Sequence, residues 1–421
     1  MIAVGLVVGG GVALGGGSEV APVDAGSTSV GREDGTVASL QARVDRLPDD
    51  WTAWASLGLA HVERARVTGD PSSYPRAELA LDRSLEIRPD DNALALTGRA
   101  ALASARHDFT AAVASAEQAT EVNAFGPVAY GVLTDGLVEL GRYDEAGVAL
   151  QRMADLSPDA SALTRISYLR ELNGDVAGAR TALEQARDQS FGGSAASFAS
   201  FYLGELAFSQ GDLDAAEQAY DRAVRDDPSS VVPRAGLARI AAARGDLADA
   251  EALYRDVVDA LPLPQYAAEL GDLLTSAGRT EEAADQYVLV EAATRLIEAN
   301  GGNADLEAAL FAADHDDPAT ALRLAQAEHE VRQSIFTDDA LGWALHVNGR
   351  SAEALPLAER ALRLGTKSAA LHFHLGMIEA ALGLEDRARA SLRSALEINP
   401  HFSLLQAPVA QAELARLGGA A

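Results

Sequence analysis

The chain has 421 residues, with 62 acidic against 34 basic side chains and a formal net charge of −28. This balance excludes a duplex-binding protein, because contacts to phosphates require a basic surface. Cysteine is absent from the sequence, which excludes disulfides, thiol catalysis and zinc sites with thiolate ligands. Hydrophobic residues make up 48% of the chain and aromatic residues only 5%, so we expect an all-α fold with a core of alanine, leucine and valine.

The amino end differs in composition from the rest of the chain. Residues 1–17 are apolar and rich in glycine, and they resemble the hydrophobic part of an export signal, although no Lys or Arg precedes them. The alternatives are a membrane anchor, for which the stretch is short against the roughly 20 residues of a spanning helix, and a disordered segment or misassigned start. Residues 18–35 are predicted to form a flexible linker from their composition.

Helical patterns begin after this linker. Residues 36–48 are predicted to form a capping helix, and residues 49–400 to hold a series of helical pairs. In the first pair, additional residues around VTGDPSSYP separate Gly58 from Ala77, which predicts a long loop between its two helices. Residues 401–421 are expected to form a C-terminal cap and tail.

The segment Leu203–Pro228 shows the pattern of one pair most clearly. Apolar residues recur at helical spacing in its first half, and Gly211 then predicts a turn, because glycine adopts the left-handed conformation without a Cβ penalty. Asp214 and Glu217 are predicted to form a capping box that opens the second helix. Pro228 prevents that helix from continuing. We therefore expect two short antiparallel helices joined by a tight turn.

Small residues recur at fixed positions of this pattern along the chain. Alanine returns at intervals of 33 to 38 residues, as Ala77, Ala112, Ala146, Ala179, Ala216, Ala250, Ala283, Ala321, Ala354 and Ala388. The turn glycine returns as Gly141, Gly174, Gly211, Gly245, Gly278, Gly349 and Gly383. The pairs Leu203-Gly204, Leu270-Gly271 and Leu375-Gly376 mark the first helices. This pattern resembles the tetratricopeptide repeat family, and segments such as YGVLTDGLVELGRYDEA resemble its long bacterial members.

The resemblance covers roughly residues 36–400 and has consequences for the fold. It implies a right-handed superhelical solenoid of about ten helix-turn-helix repeats, with a concave groove that holds a peptide or a partner helix. One departure is a helix predicted to run on from about 281 to 299, so that two stacks with a joint near 281–303 are an alternative to one even solenoid. In the next repeat, Ala309 and Asp316 stand where glycine is common.

The resemblance also implies which side chains line the groove. Carried over from the first-helix positions of the family, they are Tyr168, Phe201, Phe208, Arg239, Phe336, Asp339, Trp343, His346, Phe373 and Met377. Aromatic side chains on a presented face are typical of a partner-binding surface, and packing between repeats is the alternative interpretation for each of them. Since Arg239 is the basic residue that stands out in this set, we expect an apolar or basic partner segment rather than an acidic one.

Catalytic motifs are not evident in the sequence. It contains no P-loop, no G-x-S-x-G elbow and no H-E-x-x-H, so we expect neither an enzyme nor a bound cofactor. The run Asp314–Asp317 concentrates oxygen and imidazole donors, which is typical of a metal site. The same run precedes Pro318 at a predicted turn, where acidic residues cap the next helix. We prefer this capping interpretation and assign no metal site.

The sequence thus predicts a non-catalytic scaffold for protein–protein interaction that binds a peptide or partner helix in its groove. We expect it to be exported or envelope-associated, with membrane contact only through residues 1–17 if they are not cleaved. Nucleic acid is not expected as a partner. Two alternatives stay open: a metal-handling or enzyme-accessory protein that uses Asp314–Asp317, and a structural solenoid that assembles with itself.

Overall fold

The computed structural model describes residues 29–190, 192–303 and 306–418. Within these ranges the chain forms 22 helices and no strand, which confirms the all-α fold class. Residues 1–17 and the first part of the linker lie outside them. The helices are α1 (Ser29–Arg46), α2 (Trp51–Thr68), α3 (Ser73–Ile87), α4 (Ala93–Ala105), α5 (Phe109–Val122), α6 (Pro127–Glu139), α7 (Tyr143–Leu156), α8 (Ala160–Leu172), α9 (Val176–Asp188), α10 (Gly193–Ser209), α11 (Leu213–Asp226), α12 (Val232–Arg244), α13 (Leu247–Ala260), α14 (Pro264–Ser276), α15 (Thr280–Ala299), α16 (Leu306–Asp314), α17 (Pro318–Val331), α18 (Ile335–Val347), α19 (Ser351–Ala361), α20 (Ala369–Ala381), α21 (Glu385–Ile398) and α22 (Gln406–Arg416).

Helices α2 to α21 follow one another as the first and second helices of ten repeats. Within a repeat the two helices pack together, as α2 does with α3, α10 with α11 and α20 with α21. The remaining two helices cover the ends of the series, because α1 packs against α2 and α22 packs against α21. Covered ends stabilise a repeat protein, because a terminal repeat has no neighbour on one side.

Two compact units make up the described part of the chain. Unit 1 comprises residues 166–294 and 306–418, and unit 2 comprises residues 29–165 and 295–303. The boundary after residue 294 falls inside α15, which is 20 residues long. This length confirms the prediction that a helix runs on past the usual stop in that repeat.

The recurring alanine occupies the contact between the two helices of each repeat. Ala283 is 1% exposed and the other nine equivalents are completely buried. The glycine of the first helix has a similar role, since a Cβ on Gly204 would come within 2.4 Å of the Tyr220 ring. Gly236 approaches the same ring from the next repeat, where a Cβ would come within 2.5 Å. Tyr220 therefore fills the space that small residues leave between three helices.

Helix ends confirm part of the predicted pattern and correct part of it. Gly211 has a φ of 75°, as the turn requires. The N-cap of α11 is Asp212, whose side chain accepts a hydrogen bond of 3.1 Å from the Ala215 amide. The predicted capping box of Asp214 and Glu217 was wrong, because the helix begins directly after the turn. Both residues instead form ion pairs with Arg244.

Two predicted connections are also shorter than expected. The additional residues of the first repeat lengthen α2, which runs to Thr68, and only residues 69–72 separate it from α3. A long loop between those helices was therefore the wrong prediction. Helix α1 begins at Ser29, inside the segment 18–35 that was predicted to be a linker.

In unit 1, repeats that are far apart in sequence touch each other. The Thr366 hydroxyl, ahead of α20, donates to the carbonyl of Leu172 at the end of α8. The Asn399 amide, after α21, donates a hydrogen bond of 2.8 Å to the carbonyl of Phe208 in α10. Gln210 reaches the Lys367 carbonyl at 3.3 Å. These contacts bring the fourth and fifth repeats against the ninth and tenth, so the series returns on itself within unit 1.

Candidate partner-binding surface

All ten residues predicted to line a groove lie in unit 1, on the first helices α8, α10, α12, α18 and α20. We call these helix faces, together with the adjoining face of α14, the first-helix face. Seven of the ten are half-buried, and these are Tyr168, Phe201, Phe208, Arg239, Phe336, His346 and Met377. The remaining three are buried, and these are Asp339, Trp343 and Phe373.

A row of charged side chains crosses four neighbouring first helices of this face. Glu205 of α10 accepts a hydrogen bond of 3.0 Å from Nη1 of Arg239 on α12 and one of 2.6 Å from the Tyr220 hydroxyl. Nε of Arg239 lies 3.9 Å from Oε2 of Glu269 on α14. Glu171 of α8 interacts electrostatically with Glu205. We call Glu171, Glu205, Arg239 and Glu269 the acidic row, because it contains three carboxyl groups and one guanidinium.

Arg239 is paired with Glu205 inside this row, although its Nε has no hydrogen-bond partner among the described residues. Burial alone would disfavour its charge, but the neighbouring charge of Glu205 holds the pKa of Arg239 well above its usual value. The guanidinium also lies 5.3 Å from the centre of the Phe208 ring, within reach of a cation–π contact. An acidic ligand would have to displace Glu205 to reach it.

Glu171 is the carboxyl group of the row that lacks a cation. Burial, and secondarily the charge of Glu205, raise the pKa of Glu171 from 4.5 to about 7. Within the described ranges its side chain forms no hydrogen bond and no ion pair. Burial also raises the pKa of Glu269, whose Oε2 is inaccessible and has no hydrogen-bond partner among the described residues. The row therefore has capacity for an additional positive charge.

Aromatic and imidazole rings stack at the other end of unit 1. The Trp343 indole lies between His374, at a centroid distance of 4.3 Å, and His346, at 5.0 Å, with both rings nearly parallel to it. Its N–H donates a hydrogen bond of 2.8 Å to Asp314. Nδ1 of His374 lies 2.9 Å from the carboxylate of Asp339. These contacts join the eighth, ninth and tenth repeats to one another.

Burial corrects the expectation that this aromatic cluster is presented to a partner. Phe373 is 2% exposed, Asp339 5% and Trp343 7%. Phe373 packs against Trp343 and against Phe402 from the C-terminal cap. The physical reason is that neighbouring helices and the cap cover these side chains, so packing between repeats is what they do here. Partner binding by the seven half-buried residues stays a prediction.

The side chains of the run Asp314–Asp317 contact different partners and do not converge on one site. Asp314 accepts hydrogen bonds from Trp343 and Gln406, and His315 contacts Asp272 at 2.9 Å. Burial disfavours a charge on His315, but the hydrogen bond to Asp272 raises the pKa of the ring overall. Asp317 caps α17, as the capping interpretation predicted. In the part of the chain that the structure describes, no three His, Asp or Glu residues are placed to hold a metal ion.

Sequence reasoning missed the acidic row except for Arg239. Acidic residues on helices are normally solvated, so Glu171, Glu205 and Glu269 did not stand out in an acidic chain. One signal was available, because Glu205 and Arg239 are 34 residues apart, which is one repeat. Opposite charges at that interval predict an ion pair between neighbouring first helices.

No helix within the described ranges is both long and apolar enough to cross a bilayer. Residues 1–17, which carry the predicted export signal, are outside these ranges.

Comparisons with known proteins agree on the repeat architecture. Two sequence models described as tetratricopeptide repeat match the chain, one at residues 169–231 and 340–401 and the other at 207–273. No significant match was found among curated proteins.

Solved structures with similar folds include a human IFIT1 dimer with m7Gppp-AAAA, at 16% identity, a TM-score of 0.50 and coverage of 78% of this chain and 76% of that one. The APC/C hetero-tetramer Cut9–Hcn1 has 15% identity, a TM-score of 0.46 and coverage of 90% and 81%. TTC0263, a repeat protein of Thermus thermophilus, has 22% identity, a TM-score of 0.37 and coverage of 40% and 90%. At these identities the similarity concerns the fold alone.

Proposed function

We infer that this chain, which is built from tetratricopeptide repeats, is a non-catalytic scaffold for protein–protein interaction whose first-helix face in unit 1 binds a basic segment of a partner. The observation that carries this proposal is Glu171, a desolvated carboxyl group without a cation, in a row that already holds Glu205 and Glu269. A lysine or arginine of the partner would supply the missing charge. Charge-assisted hydrogen bonds of this kind contribute about 1.5–3 kcal/mol each.

Aromatic side chains next to the row support an amphipathic partner. Tyr168 lies three residues before Glu171 on α8, so both point to the same side of that helix. Phe208 lies beside Arg239, and Phe201 packs 5.9 Å from the Tyr220 ring. Half-buried rings beside carboxyl groups suit a peptide or helix in which basic and apolar residues alternate.

Charge argues against a nucleic-acid ligand for this face. The IFIT1 structure contains m7Gppp-AAAA, but a phosphate chain placed on the acidic row would meet three carboxyl groups and a guanidinium already paired with Glu205. Because the guanidinium of the row is already paired, the electrostatic contribution that dominates nucleic-acid affinity is unfavourable there. We therefore propose a protein partner.

The proposed scaffold has no catalytic activity of its own, and it is exported. No arrangement of nucleophile, base and orienting group stands out on the first-helix face, and repeat proteins of this kind are generally scaffolds. The export expected from residues 1–17 remains a proposal, as does self-assembly of the chain.

Peptide binding tests the function directly. We expect a labelled peptide of lysine, leucine and phenylalanine to bind the purified chain in fluorescence polarisation, and its counterpart with glutamate for lysine not to bind. Glu171→Gln should weaken binding of the basic peptide about tenfold, because a neutral amide cannot balance its charge.

A matched control uses Glu330→Gln, which removes an exposed carboxylate from α17 of unit 1 with the same change in net charge. This variant should bind like the parent chain. Equal affinity of the Glu171→Gln and parent chains, both folded by circular dichroism, would contradict the proposed site.

A further inference from the structure

A cleft of about 380 Å³ lies between α9, α10 and α11 in unit 1. This volume is typical of small-ligand sites, which span roughly 300–1,000 Å³. Leu203 and Ala207 contribute its apolar part from α10. Both lie two positions from Glu205, and residues two apart on a helix point about 200° away from each other. The cleft is therefore on the other side of α10 from the acidic row.

Three arginines line this cleft, Arg180 and Arg187 from α9 and Arg222 from α11. The side chains of Arg180 and Arg222 form no hydrogen bond or ion pair with any residue that the structure describes. Nε of Arg222 is inaccessible and also lacks a hydrogen-bond partner in these ranges. Arg187 donates to the Ser200 hydroxyl at 3.2 Å, and its Nη1 lies 4.0 Å from the carboxylate of Asp188. Two of the three guanidinium groups thus have their donors unused, which is unusual in a chain with an excess of carboxylates.

The charge inside the cleft is positive despite two acidic side chains in its lining. Glu184 and Asp188 also line it, but both are exposed, whereas the three arginines are half-buried. Water screens an exposed charge more strongly than a partly desolvated one. A ligand inside the cleft therefore experiences mainly the guanidinium groups.

We propose that this cleft binds a phosphate monoester group, held by Arg180, Arg187 and Arg222. A phosphate monoester has nearly two negative charges and three acceptor oxygens at neutral pH. Guanidinium groups are planar forks that donate to two such oxygens at once. A carboxylate offers one charge and two oxygens, so it matches three arginines less well. The site is independent of the first-helix face and of the basic partner proposed for it.

Calorimetry with two probes tests the site. A phosphoserine peptide with neutral flanking residues should bind the full chain at low ionic strength, and its unphosphorylated form should not. Inorganic phosphate should compete with the phosphoserine peptide for the cleft. If it does not compete, the cleft does not recognise the phosphate group by itself. Arg180→Ala with Arg222→Ala should weaken binding roughly a hundredfold, about tenfold for each guanidinium.

The control removes two exposed arginines of unit 1 outside the cleft, Arg225→Ala with Arg393→Ala, so that net charge changes equally. This variant should keep its affinity within about twofold. The side chains of Arg180 and Arg222 have no polar partners within the described residues, and circular dichroism of both double variants checks that they stay folded. Absence of phosphopeptide binding at millimolar concentration, or the same loss in both double variants, would overturn the proposal.

Discussion

Glu171 shows how the position of one residue sets its chemistry. On an exposed helix a glutamate would titrate near 4.5, but here burial and the charge of Glu205 raise its pKa to about 7. Arg239 compensates Glu205 and lies beside Glu269, which leaves Glu171 outside the ion pair. A carboxyl group that gains its proton close to neutral pH makes the first-helix face sensitive to pH and to an incoming cation.

The raised pKa predicts a specific dependence of stability on pH. Between about pH 4.5 and 7, the folded chain keeps a proton on Glu171 that the unfolded chain has released, so this group lowers the free energy of unfolding as pH rises through the window. Glu171→Gln mimics the protonated form and removes that dependence. In urea denaturation we expect it to be more stable than the parent chain by about 1–3 kcal/mol at pH 8 and equally stable at pH 4.

Parallel stability profiles for the parent and Glu171→Gln chains from pH 4 to 8 would contradict the raised pKa. Glu330→Gln again serves as the reference, because its carboxylate is exposed. It should follow the parent profile at every pH.

Trp343 and Phe373 show that the burial of a single side chain cannot be predicted from the repeat pattern. Their helix positions were predicted correctly, since both lie on first helices. Their burial depends on His346, His374 and the cap residue Phe402, which reach them from other turns and other helices. A repeat pattern places a residue on a face but does not say whether a neighbour covers that face. Substitution of Trp343 or Phe373 therefore reports on packing rather than on binding.

Helix pairs depend on small residues wherever two backbones approach. Tyr220 is completely buried, and Gly204 and Gly236 contact its ring from two neighbouring first helices. Because the sequence repeats Ala and Gly at these positions, the pairing of helices could be predicted from sequence alone. The N-cap at Asp212 and the extension of α2 could not, because several acidic residues stand near each turn and an insertion can lengthen a helix as well as a loop.

Two glycine substitutions test this account of the helix pair. A Cβ on Gly204 would lie 2.4 Å from the Tyr220 ring, so we expect Gly204→Ala to lower the free energy of unfolding by about 1–3 kcal/mol. Gly147 of α7 has no atom within 4 Å of an added Cβ, and Gly147→Ala should raise stability by about 0.5–1 kcal/mol. Chemical denaturation followed by circular dichroism distinguishes them. An unchanged midpoint for Gly204→Ala would refute the close contact.

At the scale of the whole chain, a period of 33 to 38 residues specifies the order of the helices but not every contact between them. The hydrogen bond from Thr366 to Leu172 joins residues 194 positions apart, and the one from Asn399 to Phe208 joins residues 191 positions apart. Such contacts depend on the small rotation from each repeat to the next, which accumulates over the series. No local sequence pattern encodes this rotation. The contacts between distant repeats of unit 1 could therefore not be predicted from the repeat motif.

Photo-crosslinking of a labelled basic peptide to the chain tests whether the first-helix face of unit 1 binds a basic partner segment. A benzophenone amino acid replaces Tyr168, one helical turn from Glu171, and in a second chain it replaces Phe125, which is 76% exposed in unit 2. With a labelled peptide of lysine and leucine, we predict a crosslink from position 168 that excess unlabelled peptide removes, and none from position 125. Crosslinks from position 125 alone, or a crosslink from position 168 that survives competition, would contradict the account.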